Sequence, residues 1–104
     1  MAEEADYEAF LRQEFHSQTA KIRWHELQTY YAHGNVIRIA PGLNLVEVAV
    51  QLGLDNTSQF QAWIADQQII AVHDEQALAW YEADVTLWAV VAPPWVLVQE
   101  ISEN

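Results

Sequence analysis

Apolar positions along this chain change spacing several times, and each change predicts an element. Tyr7, Phe10, Leu11 and Phe15 recur at helical spacing with carboxylates near the start, predicting a helix over 5–18. Ala20-Lys21-Ile22 reads as a short extended link. A second helix is expected from Trp24 to His33, because Trp24, Leu27 and Tyr31 share one face and Gly34 stands at the C′ position. Val36-Ile37-Arg38-Ile39 is β-branched and bounded by Asn35 and Pro41-Gly42, which predicts a strand. Asn44 with Glu47 resembles a capping box opening a helix over 45–52, apolar on nearly every side and therefore buried. A fourth helix follows Asp55–Ser58, with Phe60, Trp63 and Ile64 on its face. Ile69 to Val72 is a second predicted strand. Asp74 is read as the cap of a fifth helix, to Ala83, with Leu78 and Tyr81 inward.

The end of the chain is denser. Leu87-Trp88-Ala89-Val90-Val91 and Trp95-Val96-Leu97-Val98-Gln99 are expected to be strands buried on both faces. Pro93-Pro94 fixes both φ angles negative, which excludes a two-residue primed turn and predicts a kink, a wider loop or a sheet edge. The sum is an α+β fold: a single small domain, about five helices around a short mixed β-sheet. Residues 1–4 read as an acidic disordered lead and 5–104 as that domain.

Charge alters the picture more than composition does. The net charge is −11, and Arg12, Lys21, Arg23 and Arg38 are the only basic residues. From Ile39 onward there are nine carboxylates and no Lys or Arg. Nucleic acid and membrane surfaces are not expected partners, because both need Lys and Arg to displace counterions. A basic protein partner fits better, and the same charge also serves solubility. The acidic start lacks the apolar core of a signal peptide, so a cytoplasmic protein is expected. With no Cys, disulfides and thiolate metal sites are excluded.

Candidate chemistry is sparse. His25 and His33 stand eight apart, about 12 Å along a helix, too far to chelate one ion. Glu26, Tyr30 and His33 follow one helical stripe, which reads either as an acid–base site or as a solvated face. His73-Asp74-Glu75 reads either as a pH-sensitive cluster or as a helix start. No nucleophile elbow, phosphate loop or dinucleotide fingerprint is present, so no catalytic residue, cofactor or metal is expected. Trp88 and Trp95 flank the two prolines. They read either as a binding ridge or as ordinary core beside a kink.

Several segments together resemble a small bacterial family, domain of unknown function 2288. They are Trp24-x-Glu26-Leu27, Gly34, Leu43 to Ala49, Ala62-Trp63, Trp88-Ala89-Val90-Val91 and Pro94 to Glu100. The chain departs from that resemblance at Asn44, where Asp would be expected, and in its doubled proline. The resemblance implies a bacterial cytoplasmic protein and brings no activity with it.

Two readings of function follow. The first is a non-enzymatic, acidic protein-interaction or regulatory domain, with Trp88, Trp95, Gln99 and Glu100 as its contact surface. The alternative is a small-ligand or catalytic site at Trp24, His25, Glu26, Tyr30 and His33, joined by Asn44 and Glu47. Mimicry of a nucleic-acid backbone is disfavoured by scattered carboxylates, and a symmetric homodimer through an open strand edge is a further option.

Overall fold

The computed structural model describes residues 2–101, with side chains from Asp6 onward. Met1 of the expected lead and residues 102–104 of the expected domain lie outside the described residues. A five-stranded mixed sheet in the order β1-β4-β5-β2-β3 organises the chain. Its strands are β1 (Ala20–Arg23), β2 (Val36–Ile39), β3 (Ile69–Ala71), β4 (Thr86–Ala92) and β5 (Trp95–Glu100). The helices are α1 (Ala2–Gln18), α2 (Gln28–Ala32), α3 (Leu45–Gly53), α4 (Thr57–Ala65) and α5 (Asp74–Glu82), with a 3₁₀ turn at Trp24–Leu27 ahead of α2. All pairings are antiparallel except β2 with β5. The expected α+β class is what forms.

Period-two alternation sends the sheet's side chains into two separate cores. On one face Ile37, Ile39, Val90, Ala92 and Leu97 meet Phe15 of α1 and Leu45, Val48 and Val50 of α3. On the other, Val36, Leu87, Ala89, Val96 and Val98 meet Trp24, Leu27, Ala77 and Trp80. The helices therefore flank the sheet on both sides. α3 lies between the sheet and α1 and is apolar apart from the Glu47–Gln51 stripe, which meets Arg12. Gly53 permits that close approach, since a Cβ there would stand 3.0 Å from Cδ1 of Leu11.

Helix punctuation follows the chemistry of the chain. The Asn44 and Asn56 side chains accept from the backbone N–H groups of Glu47 and Gln59, capping α3 and α4. Gly34 has φ +74, the left-handed conformation expected after a helix end.

Five expectations change. α1 begins at Ala2, so the part of the lead from Ala2 to Glu4 is helical. The Ala20–Ile22 link is β1, an edge strand paired with β4. The capping box closes only halfway, because the Glu47 carboxylate turns to Arg12 and Gln51 instead of the backbone of Asn44. Pro93-Pro94 makes a two-residue hairpin rather than a kink, with Ala92 opposite Trp95 and the peptide between the prolines cis. The negative φ of both prolines still excludes a primed turn, and a turn with a cis proline is a separate class that the expectation did not weigh.

The fifth concerns α5. His73 stands at its N-cap without a side-chain bond, and the Asp74 carboxylate accepts from the Tyr31 hydroxyl instead. Ala77 and Trp80 face the core, while Leu78 and Tyr81 face outward at 59% and 51% exposure. Two apolar stripes with the same i, i+3 spacing compete on this helix. The Ala77–Trp80 stripe wins because the Trp24 indole N–H donates to the Ala77 carbonyl at 3.1 Å and Trp80 packs edge-on against Trp24.

Candidate functional site

A cleft of about 520 Å³ opens where the end of α1, the start of α3 and the β4–β5 pair meet. His16, Thr19, Leu43, Asn44, Leu45, Val46, Trp88 and Gln99 line it. Trp88 and Gln99, register neighbours on β4 and β5, line it on the sheet side, and exposed Lys21 on β1 is the register neighbour of Trp88 beside it. The Lys21 ammonium stands 5.2 Å from the Trp88 ring centroid, within cation–π range. Gln99 is held rigidly. Its amide nitrogen donates to the carbonyls of Ala40 and Leu43 at 2.8 and 2.7 Å, tying β5 to the loop before α3.

The residues nominated on helix two do not converge. Trp24 is fully buried and belongs to the core. His25 turns to Tyr81, stacking on its ring at 4.3 Å and bonding its carbonyl through Nε2. Glu26 and Tyr30 line a small hollow of about 240 Å³ with Val91, and His33 instead bonds the Thr29 carbonyl. Asn44 lines the cleft between α1, α3 and the β4–β5 pair, and Glu47 pairs with Arg12.

The four strand residues divide as well. Trp88 and Trp95 point to the same face, both half-buried against the core. They occupy opposite ends of the hairpin, four register rows apart, about 13 Å along the strands. Glu100 points to the other face and pairs with Arg38. β5 is interior, flanked by β4 and β2, so no sheet edge follows Pro94; the open edges belong to β1 and β3.

Charge pairing is almost complete on the basic side. Arg12 holds Glu8 and Glu47, Arg23 holds Asp84, and Arg38 holds Glu100. The Arg23 hydrogen bonds keep the Asp84 carboxyl below its ordinary range, with the Arg23 charge and nearby His25 adding to that effect against some desolvation. The Asp74 carboxylate, which accepts from the Tyr31 hydroxyl, pushes that phenol's pKa up, helped by desolvation. α5 carries Asp74, Glu75 and Glu82 along with exposed Leu78 and Tyr81, and the helix has no Lys or Arg.

Sequence reasoning did not single out His16, Thr19 and Leu43 in the cleft. They come from two segments that meet only once α1 and α3 pack on one face of the sheet. The one available signal was the shared membership of Lys21, Trp88 and Gln99 in strands that pair.

Among known proteins, a family model described as a protein of unknown function, DUF2288, matches residues 10–100. The chain belongs to this family. The solution NMR structure of PA1075 from Pseudomonas aeruginosa has the same fold, with a TM-score of 0.79 at 38% identity. The alignment covers 90% of this chain and 87% of that one. A comparison with curated proteins finds no match. The family assignment thus agrees with the resemblance in the sequence, and it assigns no process. Among the described residues there is no group of three His, Asp or Glu placed to hold a metal, and no helix is long and apolar enough to cross a membrane.

Proposed function

We propose that this protein is a non-enzymatic interaction domain that docks a basic protein partner on the outer face of α5. One observation carries the reading: Leu78 and Tyr81 are among the most exposed large apolar side chains, and they share their helix with carboxylates. On a helix, Glu75, Leu78 and Glu82 fall along one stripe and Asp74, Leu78 and Tyr81 along its neighbour. The centre is apolar, and the helix that carries it contributes carboxylates and no Lys or Arg, with His25 stacked on Tyr81 at one side. Leu78 and Tyr81 are already about half buried, so covering the rest would contribute about 1 kcal/mol for each side chain. Tyr81 is also a preorganised anchor, because the His25 ring stacks on it and fixes its setting.

The charge of the helix decides the class of partner. A second copy would bring its own carboxylates against these, and like charges facing across an interface are unfavourable. A segment with Lys or Arg around an apolar residue satisfies both parts of the surface. The interaction surface first expected, at Trp88, Trp95, Gln99 and Glu100, is thereby moved to α5, because those four residues are spread over both faces of the sheet.

Capture from host lysate tests this with wild type, a Leu78→Ser, Tyr81→Ser double variant and an Ile64→Ser control. Ile64 is an exposed apolar residue on α4. The expected result is one basic protein, retained by wild type and the control, released by salt and absent with the double variant. Equal retention by all three, or a retained partner that is acidic, contradicts the proposal.

A further inference from the structure

The cleft between α1, α3 and the β4–β5 hairpin has a chemistry that the α5 surface does not explain. In a chain of net charge −11, none of its lining residues is a carboxylate. Four further hollows each include at least one: Glu26 in one, Asp55 in another, Glu100 in a third, and Glu8 with Asp55 in the fourth. The hydrogen-bonding groups are also unbalanced. Asn44 Oδ1 is used by the backbone of Glu47, and both Gln99 amide protons are directed at backbone carbonyls. Among the described residues, the Asn44 amide N–H groups, the Trp88 indole N–H and the Lys21 ammonium have no hydrogen-bond acceptor, and the His16 ring adds a donor at the rim. The acceptors left on the lining side chains are the Gln99 carbonyl oxygen, the Thr19 hydroxyl oxygen, whose proton goes to the Phe15 carbonyl, and one nitrogen of a neutral His16 ring. A site with surplus donors and no carboxylate is built for a ligand that supplies acceptors.

Size and apolar surface narrow the class. About 520 Å³ is within the range of small-molecule pockets, which pair apolar walls with a few fixed polar groups. Trp88, Leu43 and Val46 give the wall, and an indole suits a flat ring. One ammonium matches one negative charge, whereas a polyanion would meet the repulsion of the whole molecule. We infer that the cleft binds a small planar aromatic carboxylate, its ring against Trp88 and its carboxylate toward Lys21 and Asn44. This inference is independent of the α5 proposal.

The test is a titration of the ¹⁵N-labelled protein with 2-naphthoate, with 2-naphthamide and 2-naphthylmethylammonium as neutral and cationic counterparts. At millimolar concentrations naphthoate is expected to shift the Trp88 indole N–H and the amides of Thr19, Asn44 and Val46. The ammonium compound is expected to leave them in place. Lys21→Gln, at an exposed position, is expected to weaken binding about fivefold, the upper end for a solvent-accessible charge pair. Asn44→Asp keeps the helix cap, because Asp caps as well as Asn, but introduces a carboxylate; it is expected to abolish binding while leaving thermal stability intact. Unchanged affinity in Asn44→Asp, equal binding of the cation, or no shifts at these residues overturns the inference.

Discussion

Asp84 shows how much one residue can concentrate. It sits just past α5 with φ 51, accepts a forked pair from Arg23 and lies 3.7 Å from His25 Nδ1. Its folded pKa is depressed, chiefly by the Arg23 hydrogen bonds. The stability this contributes is complete above the ordinary Asp range and is lost as pH falls through the depressed value. Arg23→Gln is therefore expected to return the Asp84 titration toward an ordinary Asp and to flatten the acid side of the stability profile. Carboxyl ¹³C NMR reads the first effect and thermal melts across pH read the second. None of this was legible in the sequence, where Arg23 and Asp84 are 61 positions apart. Local chemistry was legible: Asn44 as a cap and Gly34 as a helix stop both depend only on neighbours a few residues away.

At the scale of elements, the apolar runs at 36–39, 69–72, 87–91 and 95–99 predicted four of the five strands, while β1, too short and polar to stand out, read as a link. The rotation of α5 was not predictable by the same means. Leu78 and Tyr81 outweigh Ala77 and Trp80 in bulk, but contact with Trp24 decides which pair faces in. Trp24 is fully buried, donates to the Ala77 carbonyl and packs edge-on against both Tyr31 and Trp80. Trp24→Ala is expected to cost about 3–5 kcal/mol, as for other large aromatic truncations in cores. Urea unfolding followed by circular dichroism measures this. A loss below about 1 kcal/mol would mean that Trp24 does not hold α5 in its setting. The hairpin at Pro93-Pro94 illustrates the same limit. Its residues define a turn, but the pairing of Ala92 with Trp95 that closes it is set by how β4 and β5 meet.

Over the whole molecule, charge and shape work together. The three arginines are in ion pairs, and Lys21 stands over Trp88 with no carboxylate partner among the described residues. The remaining carboxylates are left facing solvent, and on α5 they share the helix with exposed apolar side chains. Solubility alone would account for carboxylates there, but not for Leu78 and Tyr81 among them. The sequence made the net charge plain and left its arrangement open, because that arrangement depends on which face of each helix the sheet takes. The candidate cleft was legible only in parts, as Asn44, Trp88 and Gln99, which had been assigned to two different readings.

The most direct measurement is photo-crosslinking in the native host, with p-benzoylphenylalanine placed at position 78 in one strain and at position 64 in another. Both sites are exposed and apolar, at 59% and 49% exposure, so nonspecific contacts should be similar. The account predicts one discrete adduct with a basic protein from position 78 and none from position 64. The same adduct from both positions, or no adduct from position 78, would contradict the assignment of α5 as the docking face.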